Sequence, residues 1–244
     1  VLGLPEPITA CLFDLDGVLT TTASVHMAAW KQTFDEFLRA REGSGYRPFS
    51  QDDYDQHVDG RPRADGVREF LHSRGITLTE GSADDPSDAQ TVNGVGNRKN
   101  DLLLELVKER GVSAYPGSVR YLEEVRDAGF AIGVVTASQN AEAVLAAANL
   151  DQFVQARIDG IVVADQGLRG KPAPDSYLAG ARALGVEPAR AAVFEDALAG
   201  VEAGRAGAFG FVVGVDRVGQ AAALREHGAD LAVTDLADLL TTVP

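Results

Sequence analysis

The chain has 244 residues, 45% hydrophobic and 24% charged, with 22 Lys and Arg against 36 Asp and Glu for a net charge of −14. That length holds one large domain or two small ones, and the acidity excludes a general grip on nucleic acid or an anionic membrane, which needs surplus Lys and Arg. The single cysteine, Cys11, excludes an internal disulfide and a thiolate zinc cluster.

No apolar run approaches the roughly 20 residues that cross a bilayer, and the opening VLGLPEPITA lacks the basic region and long apolar stretch of a secretory signal. The expectation is a soluble, cytoplasmic protein with no nucleic-acid or membrane partner. Residues 8–13 form a short apolar run that ends in acidic residues, the pattern of a strand buried on both faces. From 22 to 111 the patterns are helical (25–41, 64–74 and 96–110), with no buried-strand run. A Gly/Ser/Pro break at 43–50 and an acidic, small-residue stretch at 79–87 lie between them. The acidic stretch reads as a solvated loop, since such a composition cannot fill a core. An amphipathic stretch at 117–128 then leads into an apolar run at 130–135. Helices are expected at 140–149, 174–184 and 197–207, and strands at 191–194, 209–215 and 231–233. Alternating strands and helices predict an α/β domain with a mainly parallel sheet over 1–21 and 112–244, interrupted by an all-helical insertion over 22–111.

The chemistry concentrates where strands end. Asp14-Leu15-Asp16-Gly17-Val18-Leu19-Thr20 follows the first strand. In an extended segment Asp14 and Asp16 share one side, with Leu15 opposite. Two carboxylates so close require a cation, a shared proton or separate solvation. Ligands of open α/β sheets sit at the carboxyl ends of the strands, and Gly17 lets the backbone turn there. Taken alone, the pair also fits an acidic turn closing a strand. Later, Thr136 ends a strand in VVTASQN, Lys171 opens a helix in GKPAPDSYL, and Glu195-Asp196 end a strand in VFEDALAGVEAG. Singly, Thr136 reads as a helix N-cap and Lys171 as a surface lysine.

In this order the four segments resemble the motifs of the haloacid-dehalogenase superfamily of phosphoryl-transfer enzymes, whose first motif is DxDGxx[TV]. The resemblance spans Asp14 to Asp196 and implies a Rossmann-like core. It implies Asp14 as the nucleophile that becomes an aspartyl-phosphate, and Asp16 as the acid that protonates the leaving sugar oxygen and then activates the next acceptor. It assigns phosphate binding to Thr136, Ala137, Asn140 and Lys171, although Ser138, Gln139 and Asn140 also read as the polar start of a helix. Phosphoryl transfer needs an in-line nucleophile and positive charge around the transferring group. A carboxylate facing a phosphate dianion therefore implies a hard divalent cation. The family's cofactor is Mg²⁺, implied here at Asp14, Glu195 and Asp196 with the backbone carbonyl of Asp16.

The helical insertion resembles the cap of the β-phosphoglucomutase-like subfamily. TTASVHMAAW sets Thr22, His26 and Trp30 at positions of the first cap segment. GRPRADGV sets Gly60 and Arg63 in the substrate-specificity loop, and RKND sets Lys99 and Asn100 in the cap motif. Arg61, Arg63, Arg98 and Lys99 form two short basic clusters in an acidic chain. A second substrate phosphate accounts for Arg63 and Lys99, while Arg61 and Arg98 read as helix-end charges. His26 reads as a packing residue or as a group linked to cap closure. Trp30 reads as a wall of the sugar pocket or as a buried aromatic. His57, His72 and His227 lack metal-ligand spacing. Thr21, Asp59 and Gly66 depart from the subfamily pattern, which has an acid, a lysine and a serine there; these changes bear on the sugar and leave the transfer chemistry intact.

The resemblance implies a Mg²⁺-dependent phosphosugar mutase of the β-glucose 1-phosphate to glucose 6-phosphate type. The alternative is a sugar-phosphate phosphatase in which water accepts the phosphoryl group from the same Asp14. A non-enzymatic regulator would have lost a catalytic carboxylate or Lys171, and an NAD-dependent dehydrogenase would carry GxGxxG after the first strand. Oligomeric state is left open.

Overall fold

In a computed structural model that describes residues 2–240, the chain divides into two compact units, one from Val1–Thr21 and Val112–Pro244 and the other Thr22–Gly111. The first unit is built on β1 (Ala10–Phe13), which lies in the middle of a sheet of six strands among the described residues, in the order β3-β2-β1-β4-β5-β6. β2 (Ala131–Val135), β3 (Ala156–Ile158), β4 (Ala191–Glu195), β5 (Phe211–Val215) and β6 (Leu231–Val233) are all parallel to their neighbours. Phe13 pairs with Val134 on one side and Phe194 on the other. The carboxyl ends of β1, β2 and β4 are thereby level.

Both faces of the sheet are covered, which explains why its central strands are unbroken apolar runs. Cys11 and Phe13 pack on one face with Tyr121, Leu122 and Val125, and Ala10 and Leu12 on the other with Tyr177 and Val201. Phe13 and Phe194 stack with centroids 4.4 Å apart. The second unit is helical: α1 (Ala23–Glu42), α2 (Gln51–His57), α3 (Arg63–Ser73) and α4 (Val92–Arg110), with no strand among its described residues. Its core is aromatic, with Phe34 in contact with Trp30, Phe49 and Phe70. No described helix is long and apolar enough to cross a membrane.

After α5 (Pro116–Asp127) the first unit continues with α6 (Ala141–Ala147), α7 (Gly160–Asp165), α8 (Asp175–Ala183), α9 (Leu198–Ala206) and α10 (Ala221–Glu226). Several elements differ from the sequence expectation. β3 was not expected, because Arg157 interrupts its apolar pattern; at the sheet edge the guanidinium reaches Glu142 and Asp159. α2, α7 and α10 are too short for a helical period to show; α2 is secured by a capping box between Ser50 and Asp53. Phe209 and Gly210 precede β5 instead of belonging to it. The acidic stretch lies along α4 as an ordered loop, tied through Asn97 Nδ2 to the carbonyls of Ala83 and Asp85.

Candidate active site

β1 ends into Asp14, whose amide still bonds to the Phe194 carbonyl, so its carboxylate is buried beside the ends of β2 and β4. Gly17 then adopts φ +91°, and its N–H bonds to Thr20 O, closing a turn that carries Asp16. Thr136 follows β2. Its hydroxyl donates to Asp16 Oδ2 at 3.3 Å and accepts the Ser138 amide at 3.1 Å. It caps no helix, since α6 begins five residues later. Ala137 lies in the loop so formed, and Gly160 N bonds to Ser138 O. A side chain on Gly160 would strike the Ala137 carbonyl, so glycine is what allows that close approach. Asn140 occupies the N-cap position of α6, but its side chain makes no capping bond.

Lys171 is not on the surface. Only 2% exposed, its ammonium donates to Asp14 Oδ1 at 2.7 Å, to Val135 O at 3.1 Å and to Glu195 Oε1. Tyr177 completes the group, its hydroxyl 3.0 Å from Glu195 Oε1 and its ring centroid 4.8 Å from the ammonium. Glu195 Oε2 accepts the Ala197 amide at 3.1 Å. Burial favours a neutral amine at Lys171, but the Asp14 and Glu195 carboxylates outweigh it and hold the group above the usual lysine range. Burial pushes the Asp14 carboxyl well above its usual range; Lys171 opposes this, while Glu195 and Asp16 add to it. Burial and the charges of Glu195 and Asp14 push the Tyr177 phenol up, so it is a donor at any physiological pH.

Oxygens of Asp14, Glu195 and Asp196, all buried, lie within 4.8 Å of one another. Three buried carboxylates beside one ammonium make an excess of negative charge that a hard, oxygen-seeking cation would neutralise, and the donor set fits Mg²⁺.

The helical unit gathers a second set. Lys99, 5% exposed, places its Nζ 3.1 Å from His26 Nδ1 and 5.0 Å from the Trp30 ring centroid. An ammonium only donates, so Nδ1 is the acceptor and a neutral His26 carries its proton on Nε2. Trp30 is a buried aromatic, stacked on Phe34 at 4.9 Å. Thr22 precedes α1, and its carbonyl accepts the amides of Val25 and His26. Gly60 turns the chain with φ +71° before α3, where Arg63 lays its aliphatic stem along Gly96 of α4. Burial pulls the Arg63 guanidinium below its usual value, and Asp101 opposes this. Asn100 follows on α4, half-buried. Arg98 pairs with Glu36 on the surface, and it lies in the second turn of α4, inside the helix and not at its end as expected.

Tyr177 and Gly200 were not picked out from sequence. Tyr177 lies inside the segment GKPAPDSYL, but nothing local marks its hydroxyl as the partner of Glu195. Gly200, on α9, gave no signal: a Cβ there would overlap the Glu195 carboxylate.

A family model described as haloacid dehalogenase-like hydrolase matches residues 8–207. The chain belongs to this family. This haloacid dehalogenase-like enzyme is 56% identical to a β-phosphoglucomutase of Mycobacterium bovis, over 98% of its own chain and 94% of that protein. It is 30% identical to the β-phosphoglucomutase of Bacillus subtilis, over 94% and 91% of the two chains. Among solved structures, a β-phosphoglucomutase of Clostridium difficile superposes with a TM-score of 0.76 at 25% identity, covering 95% of this chain and 93% of that one. These matches place the family member in the β-phosphoglucomutase-like branch.

Proposed function

We propose that the protein is a Mg²⁺-dependent phosphosugar mutase that interconverts β-glucose 1-phosphate and glucose 6-phosphate through an aspartyl-phosphate on Asp14. The observation that carries this reading is the strong, nearly full-length similarity to the mycobacterial β-phosphoglucomutase. It is supported by a buried Asp14 held by Lys171 at the end of β1. A carboxylate oxygen of Asp14 attacks phosphorus as the bond to the leaving oxygen breaks, and Asp16 gives that oxygen a proton. Asp16, now a base, takes a proton from the acceptor hydroxyl, which reclaims the phosphoryl group from Asp14. Lys171 and Thr136 bring a charge and a hydroxyl to the phosphoryl oxygens. Mg²⁺, held by Asp14, Glu195 and Asp196 with the Asp16 carbonyl, would supply the positive charge that lets a carboxylate approach a phosphate.

Arg63 and Lys99 recognise the substrate's second phosphate in this reading, with Thr22, His26, Trp30, Gly60 and Asn100 as the neighbouring groups of the helical unit that shape sugar recognition. The test is to incubate the protein with Mg²⁺, β-glucose 1-phosphate and a trace of glucose 1,6-bisphosphate, then to separate glucose 6-phosphate from inorganic phosphate. Formation of glucose 6-phosphate without matching phosphate release is expected. Stoichiometric phosphate release with no isomerised sugar would overturn the mutase in favour of a phosphatase.

A further inference from the structure

The loop after β5 touches both acidic strand ends, yet it belongs to none of the four motifs. Asp216 organises it: Oδ1 accepts the amides of Val218, Gly219 and Gln220 at 2.7–3.2 Å, and Oδ2 accepts that of Ala221 at 3.1 Å. With the loop folded around that carboxylate, its two long side chains reach back over the sheet end. Arg217 Nε donates to Gly17 O at 2.7 Å, Nη1 donates to Thr234 O at 2.8 Å, and Nη2 lies 3.4 Å from Val18 O. The guanidinium stacks on Tyr115, 3.7 Å from its centroid. Gln220 Nε2 donates to Asp196 O at 2.9 Å.

We propose that residues 216–220 are a positioning element of the active site, in which Arg217 holds the turn that carries Asp16 and Gln220 holds the backbone of Asp196. The proposal rests on the mutase reading for what those two acids do. The turn closes on its own bonds, Gly17 N–H to Thr20 O and the Leu19 and Thr20 amides to Leu15 O, while the carbonyls of Gly17, at φ +91°, and of Val18 take donors from outside it. A charged fork that binds the turn's carbonyls and a carbonyl after β6 holds them with stronger bonds than neutral donors give. Ser118 Oγ, at 2.7 Å from Val18 O, adds a neutral one. Asp196 follows β4 directly, and the Gln220 bond fixes its peptide plane. One loop thus references the Asp16 turn and the Asp196 backbone to the same frame. A displacement of about 1 Å in a reacting group is enough to cost on the order of 100-fold in rate.

The test uses the whole protein, with Arg217→Ala, Arg217→Lys, Arg217→Met and Gln220→Ala. Amide hydrogen exchange is followed over residues 15–20, the Mg²⁺ dissociation constant is measured by calorimetry with Mg²⁺ alone, and kcat and KM are measured in the mutase assay. Arg217→Ala should speed exchange in that segment by about tenfold or more and lower kcat by about tenfold or more, with KM within about threefold of wild type. Arg217→Lys, which keeps the charge but not the fork, should recover part of kcat. Arg217→Met keeps the stem against Tyr115 and answers the same question should the alanine variant not fold. Gln220→Ala should raise the Mg²⁺ dissociation constant by about threefold or more and leave exchange over residues 15–20 unchanged. Folded Arg217 variants with exchange and kcat within twofold of wild type would overturn the Arg217 assignment, and an unchanged Mg²⁺ constant would overturn that of Gln220. Exchange and calorimetry need no substrate, so wild type that binds Mg²⁺ but transfers no phosphoryl group ends the mutase reading alone. Wild type that binds no Mg²⁺ ends that reading and the Gln220 assignment together.

Discussion

The Tyr177 hydroxyl bonds to Glu195 Oε1 across 3.0 Å, and the same oxygen receives the Lys171 ammonium, which lies 4.8 Å from the Tyr177 ring centroid. One side chain therefore supports both members of a buried ion pair, by a hydrogen bond to the anion and a π-face toward the cation. Tyr177→Phe keeps the ring and removes the donor. A hydrogen bond to a charged group is worth about 1.5–3 kcal/mol, so urea denaturation should show a loss of that order. In the mutase assay kcat/KM should fall severalfold. A variant equal to wild type in both would show that the phenol is only a packing group.

Gly200 tests the same carboxylate from the other side. In an exposed helix, alanine for glycine gains about 1 kcal/mol. Here a Cβ would overlap Glu195, which is fully buried and held by Lys171, Tyr177 and the Ala197 amide. Gly200→Ala should therefore lower stability despite the better propensity, and it should raise the Mg²⁺ concentration for half-activity. A rise in melting temperature with unchanged metal dependence would refute this.

Asp14→Asn should abolish turnover and the phosphoenzyme, because the amide is a poor nucleophile. The fold should survive, since the change is isosteric and removes a carboxylate whose ionisation burial opposes. Thermal melts in EDTA check the fold, and a reactive small phosphodonor followed by mass measurement checks the phosphoenzyme. Retention of more than a small fraction of activity would remove Asp14 from the mechanism.

In the helical unit, Asp53 and Arg74 pair at 2.7 Å with side chains 5% and 9% exposed. Breaking a buried pair from one side costs about 3–5 kcal/mol, so Asp53→Ala should unfold at markedly lower urea. The single tryptophan, Trp30, lies in this unit's core and reports its unfolding by fluorescence. Burial alone would raise the Asp53 carboxyl, but bonds from Ser50 and the charge of Arg74 outweigh it and leave it lowered. Its stabilisation is therefore full above the unfolded value of about 4 and is lost as pH falls through the lower folded value. The gap between wild type and variant should close on that side of the titration and remain constant near neutrality.

Arg63→Ala and Lys99→Ala should raise the ratio of free phosphate to isomerised sugar, measured under identical Mg²⁺. Loss of an anchor for the second phosphate weakens sugar as acceptor but leaves water as competent as before. Ratios equal to wild type in both variants would take the second-phosphate role away from these residues.

Much of the carboxyl end of the sheet is legible in the sequence. Asp14, Thr136 and Glu195-Asp196 each follow or close an apolar run, and a parallel sheet sends all such ends the same way. The helical patterns between 22 and 111 stood out because no run there suits a strand buried on both faces. Local spacing carries that much, since strand and helix periods are properties of neighbouring residues. Only the tertiary structure decided the contacts that no spacing encodes. The order of the motifs marks Lys171 as a site residue, but not that its ammonium is buried against Asp14 and Glu195, 157 and 24 residues away, which β1 and β4 bring to it. Tyr177, Gly200 and Arg217 have no local pattern at all. Arg217 finds Gly17 across 200 residues, because β5 and β1 flank the same central strand, β4. The physical reason is one of range: hydrophobic period acts over a few residues and selects elements, whereas buried charge must be satisfied by whichever donors the completed sheet brings within about 3 Å.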